Sequence, residues 1–261
     1  MAAVQWTDSR VEVAGATLHL SRAGEGKPVL VLHHETGTLD RLPFYEALAS
    51  RFDVLLPHHP GYSRSPRPDW MRSVRDVAVV YRGLLSELQV RDVALVGLGF
   101  GGWIAAEMAS MAPADVSRLV LVGPMGIKPS QGDILDLAIT GYIDYARAGF
   151  HDQKAFDRVY GAEPSTDQLE MWDICREMSF RIAWKPYMYS QTLPHLLAAV
   201  RAPALVVWGE DDRIVPSSAA KRYLEALPNA RLQTIAGCGH CVDMEQPDTL
   251  AKLIIDFIGR E

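Results

Sequence analysis

One segment, Val93 to Ala109, constrains what this chain can fold into more than any other. Its first residues, VALV, form an apolar run of the kind found in a buried strand. Four glycines follow within GLGFGG, a density that favours a sharp turn. The apolar stretch WIAAEMA comes next and predicts a helix. The segment therefore predicts a buried strand, a tight glycine turn and a helix in direct succession.

Apolar runs without alternation recur along the chain and predict parallel strands that are covered on both faces. These runs occupy residues 29–32, 54–56, 93–96, 119–122 and 204–208. Helical patterns separate them or follow them, at residues 42–50, 74–88, 103–111 and 217–227. Near the start of the chain, residues 10–13 and 17–20 alternate around Gly15 and predict a hairpin. The sequence thus predicts an α/β fold in which helices flank a mostly parallel sheet.

The strand pattern stops in residues 128–200, which are rich in aromatic residues and predict helices. We interpret this segment as a helical cap, inserted into a core that consists of residues 1–127 and 201–261. Trp184 and Tyr187 of the cap are candidates for binding substrate, because pockets for small molecules are mostly apolar. Packing of the cap onto the core is the other role open to these side chains.

The composition limits the kind of partner. With 261 residues and a net charge of −6, the chain offers no basic footprint for nucleic acid or an anionic membrane. The sequence shows neither a secretory signal pattern nor an apolar run of membrane-spanning length, so we expect a cytoplasmic protein. The chain has three cysteines, Cys175, Cys238 and Cys241, and their spacing is not that of a zinc site. We therefore expect reduced, buried thiols. The expected partner is a small-molecule substrate, and the oligomeric state, including a homo-oligomer, is open.

The glycine turn carries a motif from which one group is missing. Residues 97–101, GLGFG, match G-x-S-x-G except that Gly99 stands in place of the serine. In that motif the central side chain lies exposed on a strained turn between a strand and a helix. Asp212 follows the apolar run at 204–208, and His240 comes later in the sequence GCGH. One class of hydrolases has this chain order of nucleophile turn, acid and histidine.

Five stretches in this order carry a resemblance to a known family: VLHHETG, PHHPGYSRS, VGLGFGG, VVWGEDDRIVP and GCGH. With them the chain resembles the alpha/beta hydrolase family over essentially its whole length, in the branch with a helical cap. The resemblance implies an eight-stranded, mostly parallel sheet with Gly99 at the nucleophile position. It also implies that Asp212 orients His240 and that His240 is the general base. The backbone N–H groups of Phe100 and Glu35 would form the oxyanion hole.

Two departures from the family pattern lie beside this site. The usual His-Gly after the third strand reads His33-His34, and an uncommon carboxylate, Glu35, follows. We expect His34 and Glu35 to take part in catalysis, because they flank the position of the reacting carbonyl group in relatives. His33 is expected to be structural, with His58 as its hydrogen-bond partner, since buried imidazoles usually have partners.

These residues lead to a hypothesis about function. His240, oriented by Asp212, activates water against a carbonyl group of a small substrate. The Phe100 N–H holds the carbonyl oxygen, and Glu35 or His34 assists. The reaction is hydrolysis of an ester or of a carbon–carbon bond next to a ketone. Glycine at the turn relieves backbone strain and leaves no protein oxygen there for an acyl intermediate. This mechanism requires no cofactor.

Other hypotheses stay open. The first alternative is a metal-dependent hydrolase or lyase, in which a divalent metal ion supplies a bound hydroxide. The candidate ligands are His34, Glu35 and His240, with His59 in reserve, and zinc, manganese and iron accept ligands of these types. The chain could instead be a ligand-binding descendant without catalysis, or a serine hydrolase whose nucleophile was deleted by engineering. GLGFGG also matches the dinucleotide fingerprint, but the next strand ends without the acidic residue that would bind the ribose.

Overall fold

The computed structural model describes residues 4–259, which build one eight-stranded sheet with helices on both faces. The strands are β1 (Thr7–Val13), β2 (Ala16–Ala23), β3 (Pro28–Leu32), β4 (Asp53–Pro57), β5 (Val93–Leu98), β6 (Val116–Val122), β7 (Ala204–Gly209) and β8 (Ala230–Ile235). They lie in the order β1-β2-β4-β3-β5-β6-β7-β8. β2 is antiparallel to both of its neighbours, and the other adjacent pairs are parallel. The predicted fold class is confirmed.

The helices connect these strands and cover the sheet. They are α1 (Pro43–Ala49), α2 (Val74–Glu87), α3 (Phe100–Met111), α4 (Tyr142–Ala148), α5 (Gln153–Tyr160), α6 (Thr166–Ala183), α7 (Leu193–Leu196), α8 (Ser218–Ala226), α9 (Val242–Glu245) and α10 (Pro247–Ile258). A 3-10 turn at Leu197–Ala199 follows α7. α3 begins earlier than the sequence pattern predicts, because Gly101 and Gly102 are part of its first turn.

The core lies in two layers, one on each face of the sheet. All six residues of β5 are buried, and successive side chains point to opposite layers. Val93 and Leu95 pack in the layer that contains α2 and α3. Ala94 and Val96 pack in the layer that contains α1 and α10. Burial on both faces is the reason why the central strands are continuous apolar runs in the sequence.

The first turn of α3 lies very close to the end of β3. The Gly101 N–H donates a hydrogen bond to the carbonyl oxygen of His33 at 3.0 Å. A Cβ atom at Gly101 would lie only 2.1 Å from the carbonyl oxygen of Leu32. Only a residue without a side chain fits between these two backbones. The close approach places the residues that follow β3 beside the N-terminus of α3.

The region predicted to be the cap contains α4, α5, α6 and α7, between β6 and β7. We call residues 128–200 the cap segment; whether they form a separate domain stays a prediction. Cys175, Cys238 and Cys241 are buried free thiols, as the sequence predicts. Within residues 4–259, no helix combines the length and apolar character that crossing a bilayer needs.

We expect Gly101→Ala to destabilise the protein, because the new methyl group would push the Leu32 carbonyl away from α3. Overpacking of this kind costs about 1 to 3 kcal/mol. Denaturant unfolding followed by circular dichroism measures the change. The matched control is Gly141→Ala, where the nearest atom to the new Cβ belongs to the mobile end of the Asp144 side chain. An equally small effect of both substitutions would contradict the packing argument.

Candidate active site

The turn between β5 and α3 holds Gly99 in an unusual backbone conformation. Its φ is +51° and its ψ is −112°, values that a residue with a side chain adopts only with strain. A Cβ atom at this position would lie 2.6 Å from His34 Nδ1, 2.8 Å from Glu35 Oε2 and 2.8 Å from His240 Nε2. Three side chains therefore converge on the position that belongs to serine in G-x-S-x-G.

His240 and Asp212 form a hydrogen-bonded pair. His240 Nδ1 lies 2.7 Å from Asp212 Oδ2, and both side chains are buried. The other carboxylate oxygen, Oδ1, accepts hydrogen bonds from the backbone N–H groups of Ile214 at 2.9 Å and Val215 at 2.8 Å. Asp212 follows β7 and His240 follows β8. These strands are adjacent and parallel, so the loops that carry the two residues emerge at the same edge of the sheet. The pairing leaves His240 Nε2 directed at Gly99.

A second imidazole–carboxylate pair lies across the site. His34 Nε2 is 2.8 Å from Asp243 Oδ1, and both side chains are buried. The bond turns His34 Nδ1 toward Gly99, and the ring centres of His34 and His240 are 5.2 Å apart. Sequence reasoning missed Asp243. The available signal was a carboxylate between two apolar residues, Val242 and Met244, three positions after His240.

Glu35 lies between the two imidazoles. Its Oε2 is the acceptor of a long hydrogen bond, 3.4 Å, from the Phe100 N–H at the start of α3. Its Oε1 accepts a hydrogen bond of 3.0 Å from the Tyr145 hydroxyl and lies 3.9 Å from His240 Nε2. The N-terminus of a helix favours a carboxylate. The Phe100 N–H, which is predicted to hold a substrate oxygen, thus contacts the Glu35 side chain. The role of the Glu35 N–H in the oxyanion hole stays a prediction.

The charges around His240 control its protonation. Burial of the ring is the largest single effect, and it disfavours the charged form. The charge and hydrogen bond of Asp212, together with smaller contributions from Glu35 and Asp243, outweigh burial and raise the pKa of His240 to about 9. At neutral pH these carboxylates therefore favour an imidazolium at this position.

The cap segment closes the site. The exposed fraction is 0% for His240 and 1% for His34 and Glu35. Tyr145 of α4 reaches Glu35, and Ser179 of α6 forms a hydrogen bond of 2.8 Å with the Tyr62 hydroxyl. The contact of Tyr145 has no signal in the sequence, because it depends on how the cap segment packs. In this structure the side chains of His34, Glu35 and His240 are therefore closed off from solvent.

Trp184 and Tyr187, the candidates for substrate binding, lie with Phe180 in an aromatic cluster of the cap segment. Trp184 is 54% exposed. The Tyr187 hydroxyl accepts a hydrogen bond from the Leu137 N–H and donates one to the Leu135 carbonyl oxygen. In this closed form the cluster stabilises the cap segment, and its contact with a substrate stays a prediction.

His33 pairs with His59, so the expected pairing with His58 is wrong. His33 Nε2 accepts a hydrogen bond of 2.9 Å from the His59 backbone N–H, and His59 Nε2 lies 2.9 Å from the His33 carbonyl oxygen. The other ring nitrogen of His59 bonds to the Tyr81 hydroxyl. His59 therefore has no free nitrogen and is not a reserve metal ligand. The His58 ring lies instead beside Asp40, at 3.4 Å.

Comparisons with known proteins agree with this architecture. A model of the family described as "Alpha/beta hydrolase family" matches residues 29–253. The chain is 30% identical to a 2-hydroxy-6-oxononadienedioate/2-hydroxy-6-oxononatrienedioate hydrolase of Paraburkholderia phymatum, over 93% of this chain and 91% of that protein. It is 26% identical to a 2-hydroxy-6-oxo-6-phenylhexa-2,4-dienoate hydrolase of Burkholderia cepacia, over 93% and 91%. The crystal structure of a bacterial membrane phospholipase A shares the fold, with a TM-score of 0.83, 21% identity and coverage of 98% and 87%.

We expect His59 to make stability depend on pH. Burial lowers its pKa from 6.5 to about 3, so the folded protein holds this ring neutral while the unfolded chain protonates it. Stability from this residue is full above pH 6.5 and is lost as the pH falls toward about 3, by about 1.4 kcal/mol per pH unit. In denaturant unfolding at a series of pH values, His59→Gln should reduce the slope in this window. The two curves should run parallel above pH 7, where the ring is neutral in both states; parallel curves in acid as well would contradict the prediction.

Proposed function

This chain belongs to the alpha/beta hydrolase family, and from this premise we propose that it hydrolyses a small carbonyl compound with water as the nucleophile. The observation that carries the proposal is the convergence of His34, Glu35 and His240 on Gly99. Reactive groups are gathered at the place where a family nucleophile stands, although the turn itself has no side chain.

The relatives suggest the class of substrate. Those from Paraburkholderia phymatum and Burkholderia cepacia are named as hydrolases of 2-hydroxy-6-oxo dienoic acids, whose reaction breaks a carbon–carbon bond next to a ketone. We propose a substrate of this kind, or an ester, for this chain. Similarity of fold alone does not select between them, because one fold supports many reactions.

Water is the proposed nucleophile because Gly99 offers none. The water oxygen forms a bond to the carbonyl carbon while one of its protons moves to His240 Nε2, and the carbonyl oxygen takes the negative charge. The C–O or C–C bond then breaks, and its electron pair leaves with the alkoxide or stabilised carbanion, which receives the proton from His240. Asp212 stabilises the imidazolium between these two steps. Only the neutral form of His240 can take this proton; the raised pKa makes that form a strong acceptor and increases its share as the pH rises toward about 9.

The Phe100 N–H is the proposed donor to the carbonyl oxygen. Its present contact with Glu35 is 3.4 Å, longer than an ordinary hydrogen bond between amide and carboxylate. A substrate oxygen can therefore compete for this amide, with Glu35 turning toward the attacking water. Assistance by Glu35 also gives a role to a carboxylate that lies in a buried place, where an unpaired charge is costly.

The same geometry argues against a serine hydrolase from which only the nucleophile was deleted. A serine Cβ would lie within 2.8 Å of atoms of His34, Glu35 and His240, so these neighbours fit glycine and not serine. This supports a site built around the glycine. A non-catalytic ligand-binding protein is the competing outcome, and the experiment below separates it from the enzyme.

His240→Ala should lower turnover by at least about 100-fold, because the proton acceptor is lost. Gly99→Ser should lower turnover too, since its Cβ would displace the three converging side chains. The assay follows a panel of 2-hydroxy-6-oxo dienoic acids and aryl esters by absorbance, with products identified by chromatography. The matched control is His151→Ala, which removes an exposed histidine paired with Asp211 at 2.9 Å.

Three results would count against the proposal. Full activity of His240→Ala removes the base from the mechanism. An acyl adduct on the protein, detected by mass spectrometry during turnover, identifies a protein nucleophile in place of water. Tight binding of these compounds by the wild-type protein without any turnover identifies a ligand-binding descendant.

A further inference from the structure

Two buried nitrogen atoms at the site have no partner. Within the described part of the chain, His34 Nδ1 and His240 Nε2 are enclosed and make no hydrogen bond. A polar atom that is buried without a partner destabilises the fold, so two such atoms in one place indicate that a partner binds there. Both atoms face the same point above Gly99, together with a carboxylate oxygen of Glu35. The three ligand atoms all lie within 4.8 Å of one another.

The outer nitrogen of each ring is held by an aspartate. Asp243 Oδ1 is 2.8 Å from His34 Nε2, and Asp212 Oδ2 is 2.7 Å from His240 Nδ1. Histidines that bind metals usually donate their second N–H to a carboxylate in this way, which fixes the tautomer and raises the basicity of the ligand nitrogen. When the rings are neutral, each of these bonds leaves the inner nitrogen as an acceptor that faces the site. A single pair of this kind suits a proton-transfer dyad, but two facing pairs suit a metal ion.

The charges at the site also favour a cation. Glu35, Asp212 and Asp243 bring three buried carboxylates to two imidazoles. Their other partners are the Tyr145 hydroxyl and backbone N–H groups, which carry no full charge. One divalent ion beside two neutral imidazoles contributes the same formal positive charge as protonation of both imidazoles. Either arrangement therefore balances the carboxylates equally well. The ion would satisfy the two unpartnered nitrogens, which protonation alone does not.

We infer that His34, Glu35 and His240 bind one divalent transition-metal ion above Gly99. Two imidazoles and one carboxylate are ligands that Zn²⁺, Mn²⁺ and Fe²⁺ accept, and a three-residue set leaves positions for water and substrate. Ligand bonds of about 2.1 Å need the three side chains to close on the ion by small rotations. Gly99 is required because a side chain there would occupy the position of the ion.

This inference rests on the proposed function for its chemistry and refines it. A bound ion would lower the pKa of a water ligand, which would release its proton to solvent and supply hydroxide at neutral pH. His240 would then hold the ion instead of taking the proton, Asp212 would orient His240 as a ligand, and the leaving group would take its proton from solvent water. Binding of the ion is measured without any substrate. A failure of the metal site can therefore be distinguished from a failure of the proposed hydrolysis.

The test uses the full chain without a histidine tag. The protein is stripped with a chelator and titrated with Co²⁺, whose visible absorption reports its ligands, and then with Zn²⁺ in competition. Elemental analysis gives the number of ions bound. We expect one ion per chain, with absorption typical of a site that has nitrogen and oxygen ligands.

Two isosteric variants locate the site. Glu35→Gln removes a ligand charge and should weaken Co²⁺ binding by at least about 10-fold, and Asp243→Asn should weaken it by about 10- to 100-fold through the orientation of His34. The matched control is Glu107→Gln, which alters a buried glutamate that contacts Trp103 and Arg75 instead. Circular dichroism and thermal unfolding show that each variant is folded, and either folded variant alone is sufficient for the test.

The outcomes are distinct. One equivalent of Co²⁺, lost in the two site variants and kept in Glu107→Gln, supports the inference. Absence of binding by the wild-type protein, or equal binding by all four proteins, overturns it. Hydrolysis at full rate by the stripped protein overturns the part assigned to the ion in the reaction and leaves the proposed function in place. One bound ion without hydrolysis of any substrate in the panel rejects the proposed function and keeps the metal site.

Discussion

The site depends on how closely the first turn of α3 approaches the end of β3. The Gly101 N–H bonds to the His33 carbonyl oxygen at 3.0 Å, and a Cβ at Gly101 would collide with the Leu32 carbonyl oxygen. His34 and Glu35 follow directly in the chain, so their backbone is fixed beside the N-terminus of α3. A side chain at Gly101 would separate the two elements and move both residues away from Gly99.

The second constraint is electrostatic. Carboxylates are costly to bury unless partners satisfy them, and among the carboxylate oxygens of this site every one except Asp243 Oδ2 has a hydrogen-bond partner. Asp212 has a ring nitrogen and two backbone N–H groups, Asp243 has a ring nitrogen, and Glu35 has an amide and the Tyr145 hydroxyl. These bonds fix the direction of both imidazoles. The geometry of the reactive groups is therefore set by hydrogen bonds outside the space in which they meet.

The glycine turn differs from the corresponding turn of a serine hydrolase in the origin of the reactive atoms. In G-x-S-x-G the nucleophile belongs to the turn itself. In this chain the turn has no side chain, and the atoms above it come from the loops after β3 and β8. Gly99 thus leaves space for the side chains of His34, Glu35 and His240. A glycine is needed at this position both for that space and for the positive φ of the turn.

The sequence by itself determined the sheet, the glycine turn and the meeting of Asp212 with His240 at one edge, because apolar runs and glycine spacing act locally and parallel strands share a carboxyl edge. Only the tertiary structure decided that His33 pairs with His59, that Asp243 holds His34, and that Tyr145 reaches Glu35. These contacts join segments far apart in the chain. A hydrogen bond forms only when its two atoms lie at a defined short distance. Between distant segments that distance is set by the packing of the whole fold, and no local pattern of residues encodes it.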